Sequence, residues 1–146
     1  MQTFLPYPSY SFSVKVLDWK RLGKQRVEAR QILNVLMDST KMGWRNHPAV
    51  LMWKGYEKSL ALYLNETIRE WEMRGYVNNM EYEDWRFTEK IVHPPWLGDN
   101  RFHSSHRSNL LRKDPDHYGG LGWIEPNNLP YFWPTKEKDY VNKETS

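Results

Sequence analysis

The chain has 146 residues, no cysteine and a formal net charge of +3. That length suits one domain with a real core, and the lack of cysteine excludes disulfides and zinc–thiolate sites. No apolar run approaches the ~20 residues of a membrane span, and the N-terminus lacks the charged-then-apolar layout of a signal peptide, so a cytosolic protein is expected.

Residues 1–13, MQTFLPYPSYSFS, hold two prolines and four aromatics and read as an ordered extended arm. A first helix is expected over 14–38. Within it, residues 15–36 carry six basic side chains (Lys15, Lys20, Arg21, Lys24, Arg26, Arg30) against two acids, Asp18 and Glu28. At about 3.6 residues per turn, Leu22, Ala29, Leu33 and Leu36 form one apolar stripe. Glu28 falls off that stripe, on a face shared with Arg21, Lys24, Gln25 and Gln31. One carboxylate among cations on a rigid element suits chemistry on a negatively charged polymer. The competing reading is a solvated amphipathic helix laced with ion pairs.

Residues 39–46 form a loop, followed by a second long helix over 46–75 that serves as the spine of the core. Asn46 is placed to cap it, Pro48 suits its first turn and Gly75 its stop, with a break near Gly55. Apolar residues at 49, 52, 53, 56, 60, 63, 64, 67, 68 and 71 keep the helical period. Residues 77–102 read mostly as loop, with a short helical turn near 81–90 and a stop at Pro94-Pro95. A shorter third helix fits 104–113, capped by Ser104 or Ser105 and ended before Pro115. The aromatic segment LPYFWP (129–134) leads into a charged tail over 135–146 that reads as disordered. With no repeats and no strand alternation, the expected class is all-α. It is a compact single domain over 1–134, with two long helices, a shorter third helix and long ordered loops.

Positive charge concentrates in 15–30 and 101–113 and negative charge in 57–89, a polarity that suits a polyanionic partner. An aromatic content of 15% leaves rings for stacking on bases beyond those a core needs. The run RFHSSHRSNLLRKDPDHY is dense in groups that bond phosphate oxygens and base edges. Tyr131, Phe132 and Trp133 either seal the core or stack on nucleic acid. His103 and His106, at i, i+3 spacing near Asp99, Asp114 and Asp116, raise a rival reading as a metal-dependent nuclease, although neither HExxH nor a spaced set of carboxylates is present. A second rival is a DNA-binding module without chemistry, in which Glu28 is only an ion-pair partner.

Taken in order, LDWKRLGKQRVEARQIL, HPAVLMWKGYEKSLALYLNETIREWEMRGY, WLGDNRFHSSHRSNLL and LPYFWP resemble the pyrimidine-dimer DNA glycosylase family, the phage endonuclease V type, over about residues 1–134. Glu28 stands at the spacing of that family's essential glutamate. The resemblance implies an all-α enzyme that flips nucleotides and excises a damaged or modified pyrimidine from duplex DNA, with no cofactor and no metal. It further implies AP-lyase chemistry in which the α-amine of the mature N-terminal residue forms a Schiff base with the deoxyribose and the strand is nicked by β-elimination. An α-amine titrates near pH 8, about two units below a lysine, which suits a nucleophile. The family's mature chain begins with a small residue exposed by loss of Met1; here position 2 is Gln, so the amine belongs to Met1, or to Gln2 after trimming, or the amine nucleophile is absent and Glu28 activates water in a monofunctional glycosylase. In the family, arginines stand just before and three after the glutamate, where this chain has Val27 and Gln31. Arg21 and Lys24 are expected to supply that charge. The DNA groove is expected to be lined by Lys20, Arg21 and Lys24, by Arg45, Asn46 and His47, by His103, His106, Arg107, Asn109 and Lys113, and by Trp133. The partner is double-stranded DNA, bound by a monomer working at the nucleoid of a bacterial cell or phage-infected host.

Overall fold

Pro6 and Pro8 keep the first eight residues out of a helix, with bends at 6–8, and Ser9 then opens one, its hydroxyl accepting from the Phe12 N–H at 3.2 Å. In the computed structural model, which describes residues 1–38, 43–85 and 90–135, this helix is α1 (Tyr10–Val16). It stops at Leu17, and α2 (Trp19–Met37) starts with Asp18 as its cap, the carboxylate facing the Arg21 N–H at 3.4 Å. The single helix expected over 14–38 is therefore two. An aspartate competes for backbone N–H groups inside a helix and favours starting one instead.

The expected spine helix is also divided. α3 (Pro48–Leu51) is capped by His47, whose Nδ1 accepts from the Ala49 N–H at 3.0 Å, so His47 rather than Asn46 is the cap. After a break at 52–56, α4 (Glu57–Met73) runs to Gly75. Gly55 and Gly75 both sit at φ +89°, a left-handed conformation that only glycine adopts without cost. α5 (Asn100–Lys113) begins four residues earlier than Ser104, because Asp99 caps it through the Arg101 N–H at 3.0 Å. A short α6 (Pro115–Tyr118) and a 3-10 turn at Gly119–Leu121 follow.

Among the described residues there are six α-helices and no strand, and the protein is all-α. The expected helical turn is absent from 81–85, and residues 86–89 lie outside the described residues, as does the expected tail from 136 on. No helix of the described residues is long and apolar enough to cross a membrane.

The core joins Leu22, Ala29, Ile32 and Leu33 of α2 to Leu60, Tyr63, Leu64 and Ile68 of α4. Trp53, in the α3–α4 break, meets Trp96 edge-on at 4.9 Å between ring centroids, and Trp96 meets Phe102 of α5 at 4.6 Å. Phe4 and Leu5 of the N-terminal arm are buried with them. An extended segment in a core must find partners for its backbone polar groups. Side chains supply them: Gln25 Oε1 accepts from the Phe4 N–H (2.8 Å), and Gln25 Nε2 donates to the Gln2 carbonyl (2.9 Å).

Leu5 is held from both sides by α5. Its N–H donates to His106 Nδ1 at 3.0 Å, and its carbonyl accepts from His103 Nδ1 at 2.8 Å. The donors fix the tautomers: His106 carries its proton on Nε2, while His103 accepts from the Gly98 N–H on Nε2 (2.9 Å) and carries its proton on Nδ1. Burial, with His103 as a lesser influence, pushes His106 down to about 3. A histidine neutral in the folded state but free to protonate when unfolded makes the unfolded state bind more protons. Stability should therefore fall as pH drops below ~6.5 and level off near 3, at up to ~1.4 kcal/mol per unit from this one group. Urea titrations from pH 7 to 4 should show a smaller slope for His106→Gln than for the unaltered protein.

Candidate active site

α2 turns Leu22, Ala29 and Ile32 into the core, and this rotation carries Glu28 to the edge where the N-terminal arm crosses. The arm, pinned at Thr3, Phe4 and Leu5, delivers the Met1 α-amine to 3.9 Å from Glu28 Oε1. Glu28 Oε2 accepts from Gln25 Nε2 at 3.1 Å. The amine–carboxylate pair lines a cavity of about 410 Å³ together with Lys20, Arg21, Lys24 and, from the end of α5, Lys113. Glu28 also borders a second cavity of about 450 Å³, walled by Trp19, Val27 and Trp71.

The Glu28 carboxyl is raised above the ordinary glutamate value. Burial is the main cause and wins over the opposing fields of the terminal amine, Lys24 and Lys113 and a hydrogen bond from the Gln2 backbone. Such a carboxylate is a better proton acceptor than an exposed one. The same amine, after burial, helps hold His47 below its usual value. His47 stands edge-on to Trp133 at 6.1 Å, and Trp133 lies 5.7 Å from Tyr131, another wall of the first cavity.

The expected site residues divide into two sets. Lys20, Arg21, Lys24, Lys113, Glu28, Met1 and Gln2 converge on one cavity. Arg21 is also held by Asp18 at 3.2 Å; burial pushes the Asp18 carboxyl up, but hydrogen bonds from Tyr118 and Arg21 prevail and hold it below the ordinary value. Arg45 and Asn46 are exposed on the loop before α3, and Trp133 is half-buried against the core. The lysines and Arg21 line the Glu28 cavity, while Val27 is 45% exposed beside the second cavity and Gln31 is exposed.

The second set faces elsewhere. His103, His106 and Asn109 were expected on the DNA groove, but all three are buried, at 2%, 0% and 1% exposure. The histidines hold Leu5, and Asn109 Nδ2 donates to the Ser105 and Leu129 carbonyls. Arg107 bonds the Pro6 carbonyl at 2.7 Å and Glu125 at 2.9 Å, tying the arm to the loop after α6. The polar density of α5 thus meets the backbone of two irregular segments rather than phosphate. The metal reading loses its donors in the same way: both ring nitrogens of His103 and Nδ1 of His106 are engaged by backbone. Among the described residues no three His, Cys, Asp or Glu groups gather as a metal site. Tyr131, expected either to seal the core or to stack on nucleic acid, lines the cavity, and the burial of Gln25 was not expected, because the helical period puts it on the polar face with Glu28.

These features define a small all-α protein with an amine–carboxylate pair in a cationic cavity. A family model described as pyrimidine dimer DNA glycosylase matches residues 1–84, and the chain belongs to that family. It is a DNA glycosylase of the repair type, and DNA is its substrate. The matched residues include the arm, α2 and α4, and with them Met1, Gln25 and Glu28; α5 and the aromatic segment lie beyond the match. No curated protein and no solved structure matches the chain.

Proposed function

We propose that this protein excises a damaged or modified pyrimidine from duplex DNA by attack of its N-terminal amine, with Glu28 as the catalytic carboxylate. The observation that carries the reading is the Met1 amine 3.9 Å from Glu28 inside a cavity walled by four cations. At that distance the two are an ion pair rather than a hydrogen bond, as is common before substrate tightens a site. Glu28, raised by burial, takes a proton from the ammonium, and the freed amine attacks C1′ of the deoxyribose as the base leaves. The protonated Glu28 passes its proton to O4′ as the C1′–O4′ bond breaks, and the carboxylate so restored faces the positive charge of the sugar–amine adduct. Ring opening gives the Schiff base; the Glu28 carboxylate then takes the C2′ proton, that bond's electron pair forms C2′=C3′, and the 3′ phosphate leaves with the C3′–O pair, so the strand is cut. Lys20, Lys24 and Lys113 hold the phosphates, with Arg45, Asn46 and Trp133 as further DNA contacts.

The test is release of free base, in EDTA throughout, from duplexes carrying a pyrimidine dimer, an oxidised pyrimidine or no lesion. Release from a damaged duplex and none from the intact one is the expected result; no release from any would overturn the reading. The pH profile is a second check. If ionised Glu28 is the reacting form, kcat/KM falls on the acid side through a limb lying above the ordinary glutamate range. The field of Lys24 favours the ionised form, so Lys24→Ala should move that limb to still higher pH.

A further inference from the structure

Gln25 is one turn before Glu28 and is wholly buried. Its side-chain amide has two acceptor sites and two donors, and all four are used. Oε1 accepts from the Phe4 N–H at 2.8 Å and from the Tyr63 hydroxyl at 2.6 Å. Nε2 donates to the Gln2 carbonyl at 2.9 Å and to Glu28 Oε2 at 3.1 Å. The orientation of the amide is not arbitrary: the Phe4 N–H only donates and the Gln2 carbonyl only accepts, so oxygen and nitrogen cannot be exchanged. One planar group therefore touches the arm on both sides of Thr3, the α4 core through Tyr63, and the carboxylate that faces the amine.

We propose that Gln25 is the positioning residue of this site, fixing the N-terminal amine and the Glu28 carboxylate in a single frame. The proposal rests on the reading of those two groups as the reacting pair. The arm reaches Glu28 as an extended strand with no sheet neighbour, and a terminal residue of that kind is ordinarily mobile. The amide removes that freedom two residues from the amine. Its N–H to Oε2 also orients the carboxylate toward the amine. Misplacement of reacting atoms by about 1 Å costs ~10²-fold in rate, so a group that sets the separation of both partners governs turnover without touching DNA.

Two variants divide the two halves of the amide. Gln25→Glu keeps an acceptor for Phe4 and Tyr63 but loses the donors to Gln2 and Glu28 and places a second carboxyl beside Glu28. Gln25→Met keeps the volume and loses all four bonds. Both should lower kcat for base release by roughly 10- to 100-fold with the Kd for duplex DNA within about twofold. In Gln25→Glu the acid limb of the rate profile should also move to higher pH. A purely structural Gln25 would lower the melting temperature and leave the acid limb in place, and that result in Gln25→Glu overturns the proposal. Should both variants fail to fold, Tyr63→Phe, which removes one hydroxyl from the frame, should still lower kcat several-fold at unchanged Kd, and unchanged kcat would count against it. Glu28→Gln run alongside separates the levels. If it is inactive while Gln25→Glu keeps wild-type kcat and limb, the positioning role alone fails; if Glu28→Gln is fully active, the reading beneath it fails as well.

Discussion

Glu28→Gln should release base at least ~10²- to 10⁴-fold more slowly than the unaltered protein while binding duplex DNA as well or somewhat better. The rate loss follows from the position of the carboxylate, which faces the amine on one oxygen and Gln25 on the other. An amide in its place neither accepts the proton from the ammonium nor, after returning it to the sugar ring oxygen, takes the C2′ proton. Binding moves the other way, because the substitution removes a negative charge from a cavity lined by Lys20, Lys24 and Lys113 that is to receive phosphates. The fold should not suffer. A carboxyl whose folded value is raised is one whose ionised form is disfavoured by folding, so at pH above that value the ionised Glu28 opposes stability. Glu28→Gln should therefore melt at or above the wild-type temperature at pH 7 to 8, and lose heat stability relative to wild type only as pH falls through the Glu28 value. Loss of rate with gain of stability is the signature of a group kept for chemistry. A DNA-binding module without chemistry predicts the same gain in binding but no base release from the unaltered protein. Gel shift, melting and base release measured on one preparation decide between them.

What the sequence showed and what it hid divide along the range of the interactions. The apolar period of α4, Pro48 at the start of α3 and the left-handed Gly55 and Gly75 are local rules, and each was legible. The break at Asp18 was also local, but a run of good helix formers on both sides masked the cap. The meaning of α5 was not local at all. His103, Ser105, His106, Ser108 and Asn109 look like phosphate ligands in a basic run, and they are buried instead because the arm and the 122–135 loop need backbone partners there. Nothing in a helical period distinguishes a phosphate oxygen from a carbonyl about a hundred residues away in the chain. Gln25 belongs with these: periodicity placed it on the polar face with Glu28, and the arm covers that face. Arg21 and Lys24, expected to supply the charge that Val27 and Gln31 do not provide, line the Glu28 cavity, and α5 adds Lys113 to its wall.

Blocking the N-terminal amine should abolish covalent trapping. Borohydride reduces a Schiff base to a stable amine, so the unaltered protein mixed with DNA containing an abasic site should give an adduct. The acetylated protein, or one extended by a single residue, should give at least ~10²-fold less. The geometry makes extension as telling as acetylation. The Met1 side chain is 4% exposed and the arm behind it is fixed from Gln2 to Leu5, so an added residue cannot be absorbed by sliding the arm inward. It carries the amine up to about 3.5 Å further from Glu28, beyond the reach of proton transfer. Intact mass establishes whether Met1 is the residue that bears the amine. Gln2 as the terminus would place the amine a residue nearer the Gln25 amide, with its carbonyl already engaged there. If the extended protein still forms the adduct, a lysine of the cavity is the nucleophile, and Lys20, Lys24 and Lys113 are the candidates to replace one at a time. If base is released by both proteins and neither is trapped, the amine serves only to hold Glu28, and the carboxylate activates water directly. Each result assigns the attacking atom, and all of them leave Glu28 as the group that must lose or gain the proton.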